Sequence, residues 1–454
     1  MRSPARELMC PVPSTSHRDL PNGREPVQTA ATVALVLQLS GIPSPAGDAS
    51  QVPDTAGKRA AAPAPRLDPY LIGWSSEPAM EYGGLTLASA QRLGSALLGS
   101  TEAAKSRPGL AAAWEFPFAQ LLSIVNHEIN GHGGWARTFD LDPHYGFNLF
   151  GLAAWTETER PPHTPDEMIL LCGGGTEADT VLAHRLLADL MRPDGAEAST
   201  VPLALLAKLD LTLYVATTVT PDAGRASDFV DQYQEGNDIA NYLVARQGQR
   251  RGTDMDVLWN QVAPVDFDDP LLEKNFDAAR MAALWNALDP VLIGATVEYF
   301  RAHLVGGSAR IRPLVLNLGG SVGVSAGTRA FLAPSYVTRY LDLYIRLPFG
   351  VASIFGRDLD SSVDRSYGWG GAFTVAPRGS RFSAGVTAER WDEPASAEHG
   401  DGEPGWHVSG EMHAPLARRF GVAVNVGHKT EGFVAGRPFG AGTYVGLGVL
   451  VSLN

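Results

Sequence analysis

From residue 310 onward the chain alternates between apolar residues and small or polar ones, and this period of two constrains the fold more than any other feature. The alternating runs lie at residues 314–325, 340–347, 367–375, 382–389, 406–413, 422–427 and 445–453. Turn-forming segments separate the runs, among them 376–379 and the long polar stretch 392–405. The pattern predicts an antiparallel sheet of about eight strands over residues 306–454.

The two faces of this predicted sheet differ in chemistry. One face is apolar and often aromatic, whereas the other is rich in Gly, Ser, Ala and Asn. Small residues suit the crowded interior of a small barrel, whose apolar face would then meet lipid. In this pattern the region resembles the small outer-membrane β-barrels of Gram-negative bacteria. The resemblance implies a place in the outer membrane or periplasm and association with the outer membrane through the C-terminal domain; a soluble antiparallel sandwich or barrel is the alternative.

Residues 70–305 carry apolar residues at helical spacing instead. The predicted helices span residues 85–98, 115–131, 201–218, 227–246 and 277–304. The expected fold class is therefore α+β, with a mainly helical domain at 70–305 followed by an antiparallel, barrel-like domain at 306–454. Residues 1–69 are expected to be a signal-like and disordered segment with a linker, since the short apolar run 29–39 follows Arg24 and is followed by small residues.

Composition excludes some classes of function. The net charge of −13 and the lack of a basic run argue against a nucleic-acid surface. The cysteines, Cys10 and Cys172, are too far apart and too few for a disulfide framework or a metal knuckle. The apolar stretch 201–219 is interrupted by Lys208 and Asp210, so a buried core helix explains it better than a membrane span.

The segment 126–132, Asn-His-Glu-Ile-Asn-Gly-His, has the composition of a helical zinc site with its own general base. His132 follows His127 by five residues, which turn a regular α-helix by about 500°, so the two rings would diverge by about 140°. A single π-type turn closes most of that gap, and Gly131 lies where the backbone must adapt. The spacing therefore predicts a π-type turn that brings both rings to one Zn²⁺ ion. The alternative is a helix with two structural histidines and a surface glutamate.

Four residues of this segment, His127, Glu128, Gly131 and His132, resemble the His-Glu-x-x-Gly-His motif of the dipeptidyl-peptidase III family of zinc peptidases. The resemblance covers only this short stretch. It implies that His127 and His132 bind zinc and that Glu128 is the catalytic base that activates water.

A later glycine run, residues 173–175, precedes the candidates for a third metal ligand. We expect a helix to begin with Thr176 as its N-cap and the glycines to let this backbone approach the metal closely. In one large zincin group the third ligand is a glutamate on a later helix, and Glu177 fits best by position. The remaining candidates are Asp179, His163 and His184. His184, two turns beyond Glu177, is also a candidate catalytic residue, as a hydrogen-bond donor to the transition state.

These features predict a zinc-dependent metallopeptidase of the bacterial envelope that acts on a peptide or protein substrate. The peptide bond is predicted as the substrate by analogy with the motif. A non-catalytic outer-membrane protein with a helical, partner-binding domain is the alternative, and a structural rather than catalytic metal is a third possibility.

Overall fold

The computed structural model describes residues 8–9, 70–75, 80–99, 108–148, 153–303, 310–311, 316–319, 322–377, 380–397 and 402–451. The predicted signal-like run 29–39 lies outside this part of the chain. The predicted domain boundary at residues 305 and 306 also lies outside it, within 304–309.

Helices fill most of residues 80–301. They are α1 (Met80–Gly99), α2 (Pro108–Val125), a π-helical turn (Asn126–His132), α3 (Gly133–Thr138), α4 (Pro165–Leu190), α5 (Val201–Thr217), α6 (Ala226–Gln234), α7 (Asp238–Arg251), α8 (Met255–Trp259), α9 (Pro270–Ala287) and α10 (Pro290–Arg301). Ala198–Thr217, which contains α5, is long and apolar enough to cross a membrane, but 67% of its apolar window is buried inside the molecule, as in a core helix.

Helix α4 departs most from the sequence prediction. It begins at Pro165, where the Thr164 side chain caps it by accepting a hydrogen bond from Glu167 N at 3.2 Å. Thr176 is therefore not an N-cap, and its Oγ1 instead donates to Gly173 O at 3.0 Å. The helix runs through the glycine run because tight packing of these buried residues outweighs their low helix propensity.

Two of the predicted helices are each divided in two. The 227–246 segment breaks before Asn237, which caps α7, and Gly236 takes the left-handed backbone conformation there (φ 89°). The 277–304 segment breaks at Asp289, which caps α10 and is followed by Pro290. Both breaks carry ordinary helix start and stop signals.

Within the described residues, the strands form three antiparallel sheets. They are β1 (Leu8–Met9), β2 (Tyr70–Ser75), β3 (Pro143–Asn148), β4 (Ala153–Thr158), β5 (Ala196–Glu197), β6 (Arg310–Ile311), β7 (Leu316–Gly319), β8 (Val322–Leu332), β9 (Val337–Leu347), β10 (Gly350–Asp360), β11 (Arg365–Val375), β12 (Ser383–Asp392), β13 (Pro404–Pro415), β14 (Phe420–Lys429) and β15 (Gly442–Val451). The large sheet has ten strands in the order β2-β15-β14-β13-β12-β11-β10-β9-β8-β7. The predicted α+β class and antiparallel sheet are confirmed.

Closure into a barrel is not observed. Within the described residues no pairing joins β7 to β2, so the large sheet is open. At this opening, helices α9 and α10 lie against the part of β8 that is not paired with β7. Asn286 accepts from Ala330 N at 2.8 Å and donates to Ala330 O at 3.2 Å, and Asp289 accepts from Thr328 N at 3.0 Å. These side chains thus make the hydrogen bonds that the backbone of a further strand would otherwise make with this edge.

The polar face of the large sheet points inward and the apolar face outward. On β9, Tyr340, Asp342 and Tyr344 are buried, whereas Leu341 and Leu343 are 52% and 43% exposed. The inward face packs on the helices, and Arg346 Nε donates to Met191 O at 3.0 Å just beyond the end of α4.

One hydrophobic core joins the helices to the sheet. Its buried members include Trp135, Leu243 and Phe276 from the helices and Phe331 and Phe355 from the strands. Helix α4 lies at the centre of this arrangement, next to the π-helical turn at its glycine run and next to the inner face of the sheet toward its C-terminus.

Candidate metal centre

The π-helical turn Asn126–His132 brings the two histidines together, as the five-residue spacing predicts. The ring centroids of His127 and His132 are 4.7 Å apart, and both side chains are buried. The turn continues directly from α2 into α3, so it is one widened turn within a longer helical segment.

Three donor atoms converge beside this turn. His127 Nε2 lies 3.0 Å from His132 Nε2 and 3.1 Å from Asp238 Oδ2, and His132 Nε2 lies 3.3 Å from the same carboxylate oxygen. Zinc–nitrogen and zinc–oxygen bonds of about 2.0–2.1 Å place the ligands of a tetrahedral ion about 3.3 Å apart. The triangle therefore has the dimensions of one face of such a coordination shell.

The other ring nitrogens fix how the two imidazoles point. His132 Nδ1 donates to Leu171 O at 2.6 Å, and His127 Nδ1 donates to Asp210 Oδ2 at 3.0 Å. In the neutral form of each ring, these partners select the tautomer in which Nε2 carries no proton. Orientation of metal-binding histidines by a carbonyl or carboxylate is the usual arrangement in proteins.

These residues fit a metal ion by their chemistry. Two imidazole lone pairs and a carboxylate oxygen aimed at one point repel each other unless a cation or a proton lies between them. Although burial opposes its charged form, the pKa of His127 is held well above its usual range by Asp210 and Asp238. Burial also opposes ionisation of Asp238, yet His132 and His127 hold the pKa of Asp238 below its usual value. The site thus attracts positive charge.

Asp238 was not among the residues singled out from the sequence. It is the first residue of α7, so the break that the sequence prediction missed is what brings its carboxylate to the histidines. The available signal was Gly236 followed by Asn237, a stop and a cap within a segment read as one helix. Asp210 was noted only as an interruption of an apolar stretch.

Glu128 lies close enough to serve this centre. Ligand atoms of His127, Glu128 and His132 all lie within 4.8 Å of one another. Thr156 Oγ1, on β4, donates to Glu128 Oε2 at 2.8 Å and holds the carboxylate. The β3–β4 hairpin therefore contacts the site.

The glycine run of α4 allows the close backbone approach that we expected. A Cβ placed on Gly175 would lie 2.2 Å from His127 Nε2, and one placed on Gly131 would lie 2.5 Å from Gly174 O. Only a residue without a side chain fits at these positions, so the two helical segments meet backbone to backbone.

The candidate third ligand Glu177 is bound to other groups. Trp135 Nε1 donates to its Oε2 at 2.9 Å, and Gly436 N donates to its Oε1 at 2.6 Å. Burial raises the pKa of Glu177 to about 7, although both hydrogen bonds favour the charged form. Its role as a ligand stays a prediction, while Asp238 is the carboxylate in contact with both histidines.

Among the other candidates, Asp179 borders the centre, because its ligand atom lies within 4.8 Å of those of His127 and Asp210. Asp179 accepts from Ser123 Oγ at 2.6 Å and from Asn126 Nδ2 at 2.7 Å. His184 is within hydrogen-bonding distance of Tyr344 (Nδ1 to the hydroxyl oxygen, 3.2 Å) and lines a polar cavity against the sheet. His163 is exposed. The catalytic role of His184 therefore remains a sequence prediction.

Comparison with known proteins adds no relative. No family model matches the chain, and no significant match exists among curated proteins or solved structures. The likeness to dipeptidyl-peptidase III is therefore confined to the four motif residues, and the chemistry of the site rests on its own geometry.

Proposed function

We propose that this chain is a zinc-dependent hydrolase, with His127, His132 and Asp238 as its metal ligands and Glu128 as its general base. The observation that carries the proposal is the triangle of 3.0, 3.1 and 3.3 Å formed by the two Nε2 atoms and Asp238 Oδ2. A carboxylate from the same turn lies beside it, where a base is needed.

The donor set favours zinc among the common metals. Imidazole nitrogens suit zinc and its neighbours, whereas magnesium and calcium prefer oxygen ligands. Catalytic zinc is typically held by three protein ligands and structural zinc by four, so His127, His132 and Asp238 would form a ligand set of the catalytic kind. Zinc held there supplies Lewis-acid chemistry, since it lowers the pKa of a water to near neutrality and polarises a carbonyl.

Glu128 performs the proton transfers in this proposal. Because Thr156 donates to Oε2, the Oε1 atom is available to accept a proton from the attacking water. The same oxygen then returns the proton to the leaving group. Asp210 and the Leu171 carbonyl keep the two imidazoles oriented throughout.

The substrate we propose is a peptide bond. This assignment follows from the motif that the segment shares with zinc peptidases and is an analogy of chemistry. Hydrolysis of an amide fits a site that combines a metal ion with an adjacent base.

The test combines zinc content with peptidase activity on the full chain. We expect about one zinc per chain in the wild type, little in His132→Ala, and an unchanged content in the control His163→Ala, whose side chain is exposed. Glu128→Gln should keep its zinc and lose hydrolysis of a quenched fluorescent peptide library by about 10²-fold or more.

Three results would contradict the proposal. They are a folded wild-type chain without zinc, full zinc occupancy in His132→Ala, and equal hydrolysis by wild type and Glu128→Gln. Zinc that binds through His132 in a chain that cleaves no peptide would reassign the centre as structural.

A further inference from the structure

Between its two ends, the outward face of strands β9–β15 is apolar and largely exposed. We call these side chains the apolar belt. Representative members are Leu343 (43% exposed), Ile354 (60%), Trp369 (69%), Val386 (61%), Val408 (48%) and Leu447 (46%). A face of this extent greatly exceeds the isolated exposed apolar residues of ordinary soluble proteins.

Charged side chains on this face are confined to its two ends. At one end Arg339 Nε donates to Asp358 Oδ2 at 3.0 Å, and Arg365 Nη2 donates to Asp360 Oδ2 at 2.8 Å. At the other end charge reappears only in the turns, where Arg381 and Arg419 lie. On the described strands between these ends, the outward positions carry no charged residue.

Aromatic residues border the apolar belt at both ends. Tyr367 (67% exposed) and Trp406 (43%) lie next to the charged end, and Phe349 (48%) and Phe420 (57%) lie next to the turns. Aromatic girdles at the two edges of an apolar band mark the two interfaces of a lipid bilayer.

The inward face has the opposite chemistry, because it buries charge. Asp342, Arg357 and Lys429 are each no more than 2% exposed. Ion pairs on this face include Arg329 Nε with Asp342 Oδ2 at 3.2 Å and Arg185 Nη1 of α4 with Glu411 Oε2 at 2.7 Å. A soluble sheet buries its apolar face and solvates its polar face, whereas this sheet does the reverse.

The strand lengths match the thickness of a membrane. Strands β8, β9, β10 and β11 have 11 residues each, β12, β14 and β15 have 10, and β13 has 12. A tilted strand needs about 9–11 residues to cross the hydrocarbon layer. The eight strands are therefore uniform and of the required length.

The helices at the opening of the sheet also have an apolar outer side. Helices α9 and α10 present exposed apolar residues in a row, namely Met281 (49%), Leu284 (48%), Leu288 (55%), Ile293 (50%) and Val297 (53%). Asp289, the charged residue within this stretch, is buried against the edge of β8. The helices thus present an apolar exterior on the side where strand pairing ends.

We propose that the apolar belt, together with the outer sides of α9 and α10, contacts the hydrocarbon of a phospholipid bilayer. The open sheet spans the membrane, and these two helices lie in the same lipid layer and complete its perimeter. The helical part is therefore partly embedded rather than tethered beneath a separate barrel. This proposal is independent of the metal centre and of the proposed hydrolase activity.

Spin labels read by electron paramagnetic resonance test the proposal on the full chain reconstituted into phosphatidylcholine vesicles. Cys172 and Cys10 are replaced, and single labels are placed at Val386→Cys and Leu288→Cys. The matched control is Arg390→Cys, which lies on the same strand and face as Val386 but beside the charged end. We expect the first two labels to collide several-fold more often with oxygen than with a water-soluble nickel chelate, and the control to show the reverse preference.

Preferential collision with the nickel chelate at Val386 would overturn the proposal for the sheet, and the same result at Leu288 would overturn it for the helices. A chain that stays monomeric in buffer without detergent would overturn it for both. A detergent-free dimer or larger assembly that shields these labels would instead assign the surface to copies of this chain.

Discussion

At the scale of single residues, the candidate metal centre depends on which ring nitrogen of each histidine faces Asp238. His127 and His132 use their Nδ1 atoms for hydrogen bonds to Asp210 and Leu171, so their Nε2 atoms face each other and Asp238. The sequence predicted both histidines and Glu128 because they lie within one motif. Asp238 is remote in sequence, and no local pattern connects it with them.

Glu177 supports a prediction on pH. Its carboxyl has a pKa of about 7 in the folded protein against 4.5 for a free side chain, because it is buried. The folded state therefore binds the proton more tightly, and stability contributed by the protonated form is lost as pH rises from 4.5 through 7. Relative to wild type, Glu177→Gln should gain about 3 kcal/mol of unfolding free energy between pH 4.5 and pH 8.

Urea unfolding, followed by tryptophan fluorescence across this pH range, measures that difference. Glu273→Gln, at an exposed position of α9, serves as the control. A difference for Glu177→Gln that does not change with pH would show that the carboxyl ionises normally. If Asp238 is the third ligand, Glu177→Gln should keep its zinc. Loss of zinc in Glu177→Gln would instead support Glu177 as the third ligand, as the sequence predicted.

At the scale of elements, the π-helical turn and α4 pack together backbone to backbone. The turn was predictable because five-residue spacing cannot bring two rings together on a regular helix, and Gly131 marked where the backbone yields. The continuity of α4 was not predictable, since a glycine run followed by Thr176 carries every local sign of a helix start. Packing against the π-helical turn decides the outcome there.

A substitution at Gly175 tests this contact. A Cβ at this position would lie 2.2 Å from His127 Nε2, so Gly175→Ala should displace the imidazole and lower zinc affinity by at least about tenfold. Gly173→Ala is the matched control on the same helix, because its Cβ would meet its nearest neighbour, Leu332 O, at an ordinary 3.5 Å. Competition with a chromogenic chelator measures both affinities, and equal values would refute the close contact.

At the scale of the whole molecule, alternation predicted the strands well because each side chain on a strand faces one of two environments. It did not predict that the sheet stays open. That outcome depends on Asn286 and Asp289, which occupy the edge of β8 with side-chain hydrogen bonds. Such a contact between a helix terminus and a distant strand leaves no periodic signal in the sequence.

If the apolar belt faces lipid, the cost of a charge on it should depend on how deep in the bilayer the charge lies. Val408→Arg places a charge in the middle of the outward face and should destabilise the chain in vesicles by about 2–4 kcal/mol. Trp406→Arg lies on the same strand and face but beside the charged end. Its charge should lower the free energy of unfolding by no more than about 1 kcal/mol. Urea unfolding in lipid vesicles gives both values, and equal losses would argue against a lipid-facing surface.

We propose that one π-helical turn and the start of α7 together hold a zinc ion. Zinc-edge X-ray absorption on the full chain, purified with its metal, tests this most directly. We expect two imidazole ligands and oxygen ligands at about 2.0–2.1 Å, with one oxygen ligand altered in Asp238→Asn. Zinc bound through sulfur at about 2.3 Å, a single imidazole, or a spectrum unchanged by Asp238→Asn would contradict the claim.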